Sequence, residues 1–346
     1  METLWFWLVA LMITMYVLLD GFDLGAGALH WLAARDESGR RQILRSIGPV
    51  WDGNEVWLLA AGGTLYFAFP ALYASSFSGF YLPLMIVLWL LILRGAAIEF
   101  RSHVRNPVWI PFWDAVFAGA SALLAVFFGA ALGNVVRGVP LDAEGHFFLP
   151  LWTNWAPGPD PGILDWYTVL AGVTALAALV HHGALWITLK TGDPVSSRAR
   201  RLAGLFWYAA LGLTLVLTGA TFRVQPHIPE RLAAQPWGYV FAALALGGLF
   251  WSLWQRRRGE DAAAFLGSCA YLAGMLASVA FGLYPYVLPS VSDPRLGLTI
   301  YNAATGAYGM RVALYWWIPG MILVAVYTWF TYKRFAGKVS LEEEGY

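Results

Sequence analysis

The sequence predicts an all-α, polytopic integral membrane protein, and three observations support this fold class. Of the 346 residues, 59% are hydrophobic and only 12% are charged, about half the charged fraction of an ordinary soluble domain. Apolar segments longer than the roughly 18 residues that a spanning helix needs recur along the whole chain. Lysine and arginine are abundant on every second connection between these segments and scarce on the others. Together these features exclude a soluble enzyme and a disordered chain.

Three further features narrow the class of function. The net charge is +1 and no basic stretch is long enough to follow a phosphate backbone, which excludes nucleic-acid binding. The single cysteine, Cys269, excludes an intrachain disulfide and a cysteine-based metal or iron–sulfur site. The N-terminal stretch METLWFWLVALMITMYVLL lacks a basic region and an A-x-A cleavage site. We therefore expect a retained first helix rather than a signal peptide.

The apolar segments predict nine membrane spans in a single transmembrane domain, residues 1–346. They lie at about 3–32, 52–73, 76–98, 111–136, 164–190, 203–224, 236–255, 262–289 and 312–335. Only Ala74 and Ser75 separate the second span from the third, so these two are compatible with one hairpin with a tight turn. The count allows two four-helix bundles followed by one further helix, although the sequence contains no convincing repeat.

The distribution of positive charge predicts the orientation. Of the 22 lysines and arginines, all but five lie on odd-numbered connections or in the C-terminal tail. The connection after the third span, for example, carries Arg101 and Arg105. Cytoplasmic loops of membrane proteins carry the excess of lysine and arginine. We therefore expect the N-terminus outside, the C-terminus in the cytoplasm and an odd number of spans.

Ionisable residues fall inside or at the ends of the first four spans. A charge at the centre of a bilayer costs at least about 2.5–3.5 kcal/mol, so such residues are candidates for function. Asp20 and Asp23 share one face of the first span because they are three residues apart. Asp52 and Glu55 do the same where the second span begins. The predicted topology places the following residues at the cytoplasmic end of the first four helices: Asp20, Asp23, Asp52, Glu55, Arg94 and Asp114.

A cluster of this composition is typical of proton or cation uptake, because carboxylates close together in a low dielectric hold protons and a guanidinium keeps one of them ionised. Each residue also has a structural alternative. Asp52 or Asn54 is compatible with capping the second helix, and Asp114 with capping the fourth. Arg94 is long enough to reach the headgroups. The acid pair of the first span is compatible with an interhelical hydrogen bond.

Two histidines, His181 and His182, lie inside a predicted span. Adjacent residues of a helix point about 100° apart, so the two cannot hold one metal ion together. The sequence places no other histidine within the membrane. We therefore expect no haem or metal bound by this chain alone, and hydrogen-bonded packing for both side chains. The sequence also contains no motif for catalysis by the isolated chain.

Seven blocks of sequence carry a resemblance to a known family. They are LLDGFDLGAG (18–27), GPVWDGNEVWLLAAGGTLYFAFPALYASSFSGFY (48–81), LRGAAIEFR (93–101), FWD (112–114), HGALWITLKTGD (182–193), GLYPYVLPS (282–290) and LTIYNAATGAYGMRV (298–312). With these blocks the chain resembles subunit II of the cytochrome bd-type quinol oxidases of bacteria and archaea over most of its length. The W-D-G-N-x-V-W-L block is the most specific of them.

The resemblance implies a nine-helix subunit that pairs with a homologous subunit I in the prokaryotic cytoplasmic membrane. In that family subunit I binds two haems b and one haem d and oxidises quinol, whereas subunit II binds no haem. The complex reduces dioxygen to water with protons from the cytoplasm and builds a proton-motive force without pumping. A small single-helix subunit and a structural quinone in subunit II are further partners that the resemblance leaves open.

The resemblance also implies roles for individual residues. Asp52 takes the place of the acid at the start of a proton pathway between the subunits. Glu55 stands where some relatives have an amide, and adds a second titratable group there. The proton pathway is expected to comprise four acids: Asp52, Asp23, Glu55 and Asp20. The residues expected to support assembly next to the haems are Arg94, Asp114, Trp51 and Asn54.

Two other functions are compatible with parts of the sequence. A stand-alone haem b quinol enzyme would use His181 or His182 as an iron ligand. A secondary transporter would use the acidic cluster. Transporters often interrupt helices near the midplane in both halves, whereas these acids crowd one half of the chain and one side of the membrane. We therefore favour the oxidase subunit.

Overall fold

The computed structural model describes residues 1–104 and 106–339, which form thirteen α-helices and one small sheet. Arg105 and residues 340–346 of the predicted domain lie outside the described residues. The helices are α1 (Glu2–Ala28), α2 (His30–Ala33), α3 (Glu37–Ile47), α4 (Trp51–Ala68), α5 (Pro70–Gly79), α6 (Tyr81–Phe100), α7 (Trp109–Arg137), α8 (Trp166–Lys190), α9 (Val195–Val224), α10 (His227–Ala234), α11 (Tyr239–Arg258), α12 (Asp261–Leu283) and α13 (Ala307–Arg334). Strands β1 (Tyr286–Leu288) and β2 (Leu298–Thr299) pair antiparallel.

The helices that can cross a membrane confirm the all-α, polytopic prediction. Within the described ranges, eight are long and apolar enough to span a bilayer individually: α1, α6, α7, α8, α9, α11, α12 and α13. Helices α4 and α5 qualify only as a pair, and they are bent by 119° at the break between them. Counting this pair as one broken span gives the nine spans that the sequence predicts.

The second and third spans do not meet in a tight turn at Ala74 and Ser75, and that prediction is wrong. Both residues lie inside α5. A residue that precedes proline is disfavoured from the helical region, and Phe69, which precedes Pro70, has φ −133° and ψ 66°. The helix therefore breaks there. The ten-residue helix α5 then runs across the direction of α4 before α6 begins.

Other helix ends differ from the apolar segments. The segment predicted at 262–289 ends as a helix at Leu283, because Pro285 cannot continue it, and the chain then forms β1. Helices α9 and α13 begin at Val195 and Ala307, several residues before their apolar segments. The first connection contains α3, which the sequence analysis did not predict. Its N-cap Asp36 accepts a hydrogen bond from the Gly39 amide at 2.7 Å.

Helix α1 lies at the centre of the bundle and contacts α4, α7, α8 and α12. Its closest approach is to α8, where a Cβ on Gly25 would lie 2.0 Å from the Leu179 carbonyl oxygen. Gly183 of α8 has the converse restriction, since its Cβ would lie 2.4 Å from the Gly25 carbonyl carbon. Glycine at such positions lets two helix backbones touch. This contact joins the two halves of the chain.

The two predicted four-helix groups, α1–α4–α6–α7 and α8–α9–α11–α12, meet at that contact. Helix α13 packs beside them, with Trp317, Met321 and Val324 against the Trp57 region of α4. Only 6% of the most apolar 18-residue window of α13 is buried within the chain. One side of the last helix therefore remains uncovered by the described residues.

The long connection between α7 and α8 is fixed by a buried ion pair. Arg137 pairs with Asp165 and donates hydrogen bonds to the Gly162 carbonyl at 2.9 Å and to Asn134 Oδ1 at 2.8 Å. Asp165 is also the N-cap of α8, where it accepts from the Tyr167 and Thr168 amides. One carboxylate thus caps a helix and anchors the loop that precedes it.

Substitution of Gly25 by alanine is expected to destabilise the protein. The added Cβ would overlap the Leu179 carbonyl oxygen, and the backbone shift that relieves such an overlap costs about 1–3 kcal/mol. The measurement is the Tm of the purified protein. Gly212→Ala is the matched control, because no atom beyond its chain neighbours and the adjacent backbone of its own helix lies within 4 Å of a Cβ at Gly212 in the described part of the chain. Equal Tm values for the two variants would contradict the close α1–α8 contact.

Candidate functional site

Arg94 is fully buried and holds two acids from two other helices. Its Nη1 and Nη2 atoms donate to the two oxygens of Asp20 at 3.0 and 2.7 Å. Nη2 also donates to Glu55. Arg94 and Asp20 are 0% exposed, whereas the Glu55 side chain is 25% exposed. We call these three residues the Arg94 cluster. It ties α1, α4 and α6 together, and the headgroup alternative for Arg94 is therefore wrong.

A second chain of hydrogen bonds reaches Asp23. Asn54 Nδ2 donates to Asp23 Oδ2 at 2.8 Å and to the Leu19 carbonyl at 3.1 Å. Tyr332 of α13 donates from its hydroxyl to Asn54 Oδ1 at 2.9 Å. Asp23 is 1% exposed, and its Oδ1 atom has no hydrogen-bond partner within the described part of the chain. The amide of Asn54 is thereby fixed with its donor towards the carboxylate.

A cavity of about 740 Å³, which we call the α4 cavity, lies at the start of α4. Asp52 and Tyr332 line it. Asp52 is exposed and lies one helical turn before Glu55, close enough to repel its charge. Trp51 lines the cavity too, and its ring lies 3.3 Å from where a Cβ of Gly95 would be, next to Arg94.

Neither Asp52 nor Asn54 caps α4. The helix has Val50 at its N-cap position and no side-chain capping hydrogen bond. Asp52 lies in the first turn, where a negative charge interacts favourably with the helix dipole. Asn54 instead bonds across to α1. The capping alternative thus accounts for neither side chain, apart from this dipole interaction of Asp52.

Asp114 belongs to a different group. It accepts from His30 Nε2 at 2.6 Å, from Arg101 Nε at 2.5 Å and from Arg40 Nη1 at 3.2 Å. We call Asp114 and these three residues the Asp114 cluster. Arg101 also binds Glu37 at 3.1 and 2.8 Å. Helix α7 begins after Val108 without a side-chain cap, so the capping alternative for Asp114 is wrong. The structure separates this acid from the Arg94 cluster, with which the sequence analysis grouped it.

Sequence reasoning missed His30 and Tyr332. His30 lies ten residues after Asp20, at helical spacing on the face that carries the two aspartates, so its signal was present. It is 0% exposed, and its ring is perpendicular to that of Phe117 at 5.3 Å. Tyr332 lies 278 residues from its partner Asn54, and no local pattern relates residues so far apart.

The histidine pair joins neighbouring helices. His181 Nδ1 donates to the Ala203 carbonyl at 2.9 Å, and its Nε2 hydrogen-bonds with Ser252. His182 Nδ1 hydrogen-bonds with Ser268 at 2.7 Å, while its Nε2 donates to the Leu18 carbonyl. These contacts agree with the hydrogen-bonded packing that the sequence predicts for both histidines. Residues 1–104 and 106–339 contain no group of three His, Cys, Asp or Glu side chains that could hold a metal ion.

Comparison with known proteins decides the family. The sequence model of the family "Cytochrome bd terminal oxidase subunit II" matches residues 1–335. The chain belongs to this family. It is 31% identical to a probable cytochrome oxidase subunit 2 of Haemophilus influenzae, over 97% of this chain and 94% of the relative. It is 30% identical to the cytochrome bd ubiquinol oxidase subunit 2 of Bacillus subtilis, over 96% of both chains.

Two further comparisons agree. The chain is 27% identical to the cytochrome bd-I ubiquinol oxidase subunit 2 of Escherichia coli K12, over 98% of this chain and 95% of the relative. A chain in the structure of bd oxidase from Geobacillus thermodenitrificans has the same fold. The TM-score is 0.76 at 18% identity, over 96% of this chain and 98% of that one.

Family membership confirms several expectations. The chain is a multi-pass membrane subunit of a quinol oxidase, and as subunit II it forms a complex with subunit I. In this family the haems are carried by the partner subunit. The stand-alone enzyme and the transporter are therefore excluded as descriptions of this chain.

Replacing Arg94 by methionine is expected to destabilise the protein by about 3–5 kcal/mol, because Asp20 would be left buried without its cation. The double variant Arg94→Met with Asp20→Asn should recover part of the loss, since it removes the stranded charge. The measurement is the Tm of each purified complex.

The control is Arg295→Gln, which breaks an ion pair with Asp293 on the surface, where the arginine side chain is 89% exposed. This variant should leave the Tm unchanged. A double variant that is no more stable than Arg94→Met would show that the charge pairing is not what the Arg94 cluster contributes.

Proposed function

We propose that this chain binds no haem, scaffolds the haem-bearing subunit and supplies a proton-uptake route for the reduction of dioxygen to water. The observation that supports it is a path of polar groups from an open cavity to fully buried carboxylates, in which hydrogen bonds join Tyr332, Asn54 and Asp23, and Asp52 lies one helical turn from Glu55. Burying such groups is costly, which makes them candidates for function. Proton uptake through a non-pumping enzyme fits this path, because the reaction consumes protons from one side.

We place the first branch of the path from Asp52 to Glu55, the part-exposed member of the Arg94 cluster, and from there to Asp20. Asp52 is exposed in the α4 cavity, Glu55 is part-exposed, and Asp20 is fully buried. Burial thus increases step by step along the branch. Two ionised carboxylates around one guanidinium leave a net charge of −1, which attracts a proton strongly in a low dielectric. The cluster is therefore a place where a proton from the cavity is stabilised inside the membrane.

The second branch positions Asp23. An amide such as Asn54 donates and accepts hydrogen bonds but is not an acid or base in the neutral pH range. Tyr332 holds the amide oxygen, so the amide nitrogen is directed to Asp23 Oδ2. The other oxygen, Oδ1, has no partner among the side chains described. It is the atom of Asp23 on which we place the transferable proton.

Scaffolding rests on the uncovered surface of α4, α6 and α13. Large apolar side chains are exposed there, among them Leu59 (74%), Trp89 (60%) and Tyr315 (82%). Aromatic residues are enriched in the cores of protein interfaces. This surface adjoins the Arg94 cluster, because α4 and α6 contribute to both. We therefore place subunit I against it, so that protons leave the cluster directly into the partner.

The Asp114 cluster supports the same arrangement from one end. It attaches α2 and α3 to α6 and α7 through one buried carboxylate with four hydrogen bonds. Helix α3 leads directly into α4, whose first turn carries Asp52. We assign Asp114 a structural role in holding the α4 cavity open, rather than a step in the proton path.

Asp52→Asn is expected to slow oxygen consumption by about tenfold or more while lowering the yield of the complex much less. The carboxylate is exposed and makes no cap, so its loss removes a proton acceptor without removing a packing contact. The deficit should grow from pH 6 to pH 8, because protons become scarcer in the cavity. The measurement is quinol-dependent oxygen uptake by the purified complex across this pH range.

Asp160→Asn, in an exposed loop, is the matched control and should behave as the unmodified protein. Equal losses of yield and rate for Asp52→Asn, independent of pH, would indicate a structural role instead. The proposal that Asp52 begins the proton path would then be abandoned.

Scaffolding predicts that this chain, purified by a tag from its native membrane, brings with it a second polypeptide and a d-type haem band in the reduced spectrum. The haem-free assignment predicts that this haem belongs to the second polypeptide. Variants His181→Gln and His182→Gln should keep the haem content per complex unchanged, because these side chains bond to serines and carbonyls. Loss of one haem from an otherwise intact complex would show that this chain supplies an iron ligand.

A further inference from the structure

The α4 cavity carries more positive than negative side chains. Its lining includes four cations and two acids: Arg45, Lys190, Arg334, Lys338, Asp52 and Glu99. Proton uptake does not need more cations than acids in the cavity. The excess positive charge even repels incoming protons. The cations therefore call for a separate explanation, and an anion is the ligand that their chemistry fits.

Lys190 is the innermost of these cations. It is 8% exposed, and its ammonium donates one hydrogen bond to the Phe335 carbonyl and lies 5.5 Å from the centre of the Trp186 ring. An ammonium group has three donors. The Val339 amide donates to the Lys190 carbonyl at 2.8 Å. These contacts fold the segment after α13 back over the cavity and bring Arg334 and Lys338 to its rim.

The first turn of α4 adds a fixed positive potential. Helix α4 begins at Trp51 without a side-chain cap, and the first amide groups of any helix lack partners within it. Trp51, Asp52 and Gly53 all line the cavity. Backbone amides and a helix dipole at such an end favour negatively charged groups such as phosphate, and here the cationic side chains reinforce them.

Apolar surface continues from the cavity along the outside of the bundle. Tyr327 lines the cavity and is 60% exposed, and Leu323, one turn away on α13, is 70% exposed. Gly53 of α4 lies beside Tyr327, with 3.6 Å between the ring and the position of a Cβ. A cationic chamber that opens onto an apolar helix face matches a molecule with an anionic head and hydrocarbon tails.

We propose that the α4 cavity binds the phosphate headgroup of an anionic phospholipid, whose acyl chains lie along the end of α13 that carries Leu323 and Tyr327, at the edge of the surface assigned to subunit I. The expected orientation places the cavity at the cytoplasmic end of the bundle, and basic pockets between helices on that side are suited to anionic headgroups. The lipid site shares this chamber with the start of the proton path, since Asp52 and Tyr332 line it too, but the cations that would hold the headgroup belong to neither branch of that path. Lipid binding is measured without turnover, so its failure and that of the proton path are distinguishable.

The test is lipid selectivity of the purified two-subunit complex. The complex is equilibrated with detergent micelles containing equal phosphatidylglycerol and phosphatidylcholine, and the retained lipid is counted by native mass spectrometry. The double variant Arg334→Gln with Lys338→Gln should lose its preference for phosphatidylglycerol by at least about fivefold. Both residues are exposed, so the fold should persist. Unchanged selectivity in this variant overturns the proposal.

The matched control is Lys333→Gln with Arg258→Gln. These cations also end helices of the same basic membrane side, but they lie over the Trp329 and Trp254 rings and do not line the cavity. The control should keep the selectivity of the unmodified complex. An equal loss in both double variants would mean general attraction to basic surface, and would overturn the assigned site.

Two further arms identify the occupant. Millimolar inorganic phosphate should leave the bound phosphatidylglycerol in place, since it lacks acyl chains; displacement would overturn the lipid in favour of a free anion. A chain that stops after Val339 lacks the acidic residues Glu342, Glu343 and Glu344. Truncation should leave lipid retention equal or higher. Retention seen only after truncation would assign the cavity to the chain's own acidic tail instead.

Discussion

The buried guanidinium of Arg94 is the constraint on which the first half of the bundle depends. Its two hydrogen bonds to Asp20 and one to Glu55 cross between three helices, and Arg94 and Asp20 are fully buried. A charge in such a place is stable only with its partners present and well oriented. The register of α1, α4 and α6 is therefore set by polar geometry, whereas packing of apolar side chains in a membrane permits many registers.

Packing of small residues completes what the ion pairs begin. Gly25 and Gly183 bring α1 and α8 into backbone contact, and the histidine pair of α8 bonds to helices on either side. The Asp114 cluster also links neighbouring helices, at one end of the bundle. The polar groups thus fall into three sets with separate tasks. One set ties α1, α4 and α6 together around Arg94, one fixes the connection between α1 and α4, and one joins the two halves.

Much of this was accessible from the sequence. Hydrophobic runs gave the fold class and the number of spans, and spacing placed Asp20 and Asp23 on one face. The sequence did not reveal which polar groups pair, since Tyr332 and Asn54 meet only through tertiary packing. The sequence also did not reveal that Asp114 and Arg94 belong to different clusters. The predicted topology places both residues on one side of the membrane but does not say which side chains they contact. The break at Phe69 was missed because the apolar run continues through Pro70.

The weak burial of α13 has a consequence for biosynthesis. Translation and insertion deliver α1 and α4 long before α13, so the Asn54 amide waits without its hydroxyl partner until the last helix arrives. Because α13 buries little surface against its own chain, it gains most from a neighbouring surface. The cavity end of the Asp23 branch is thus completed in the same step that docks the final helix, which ties the maturation of the subunit to the assembly of the oxidase.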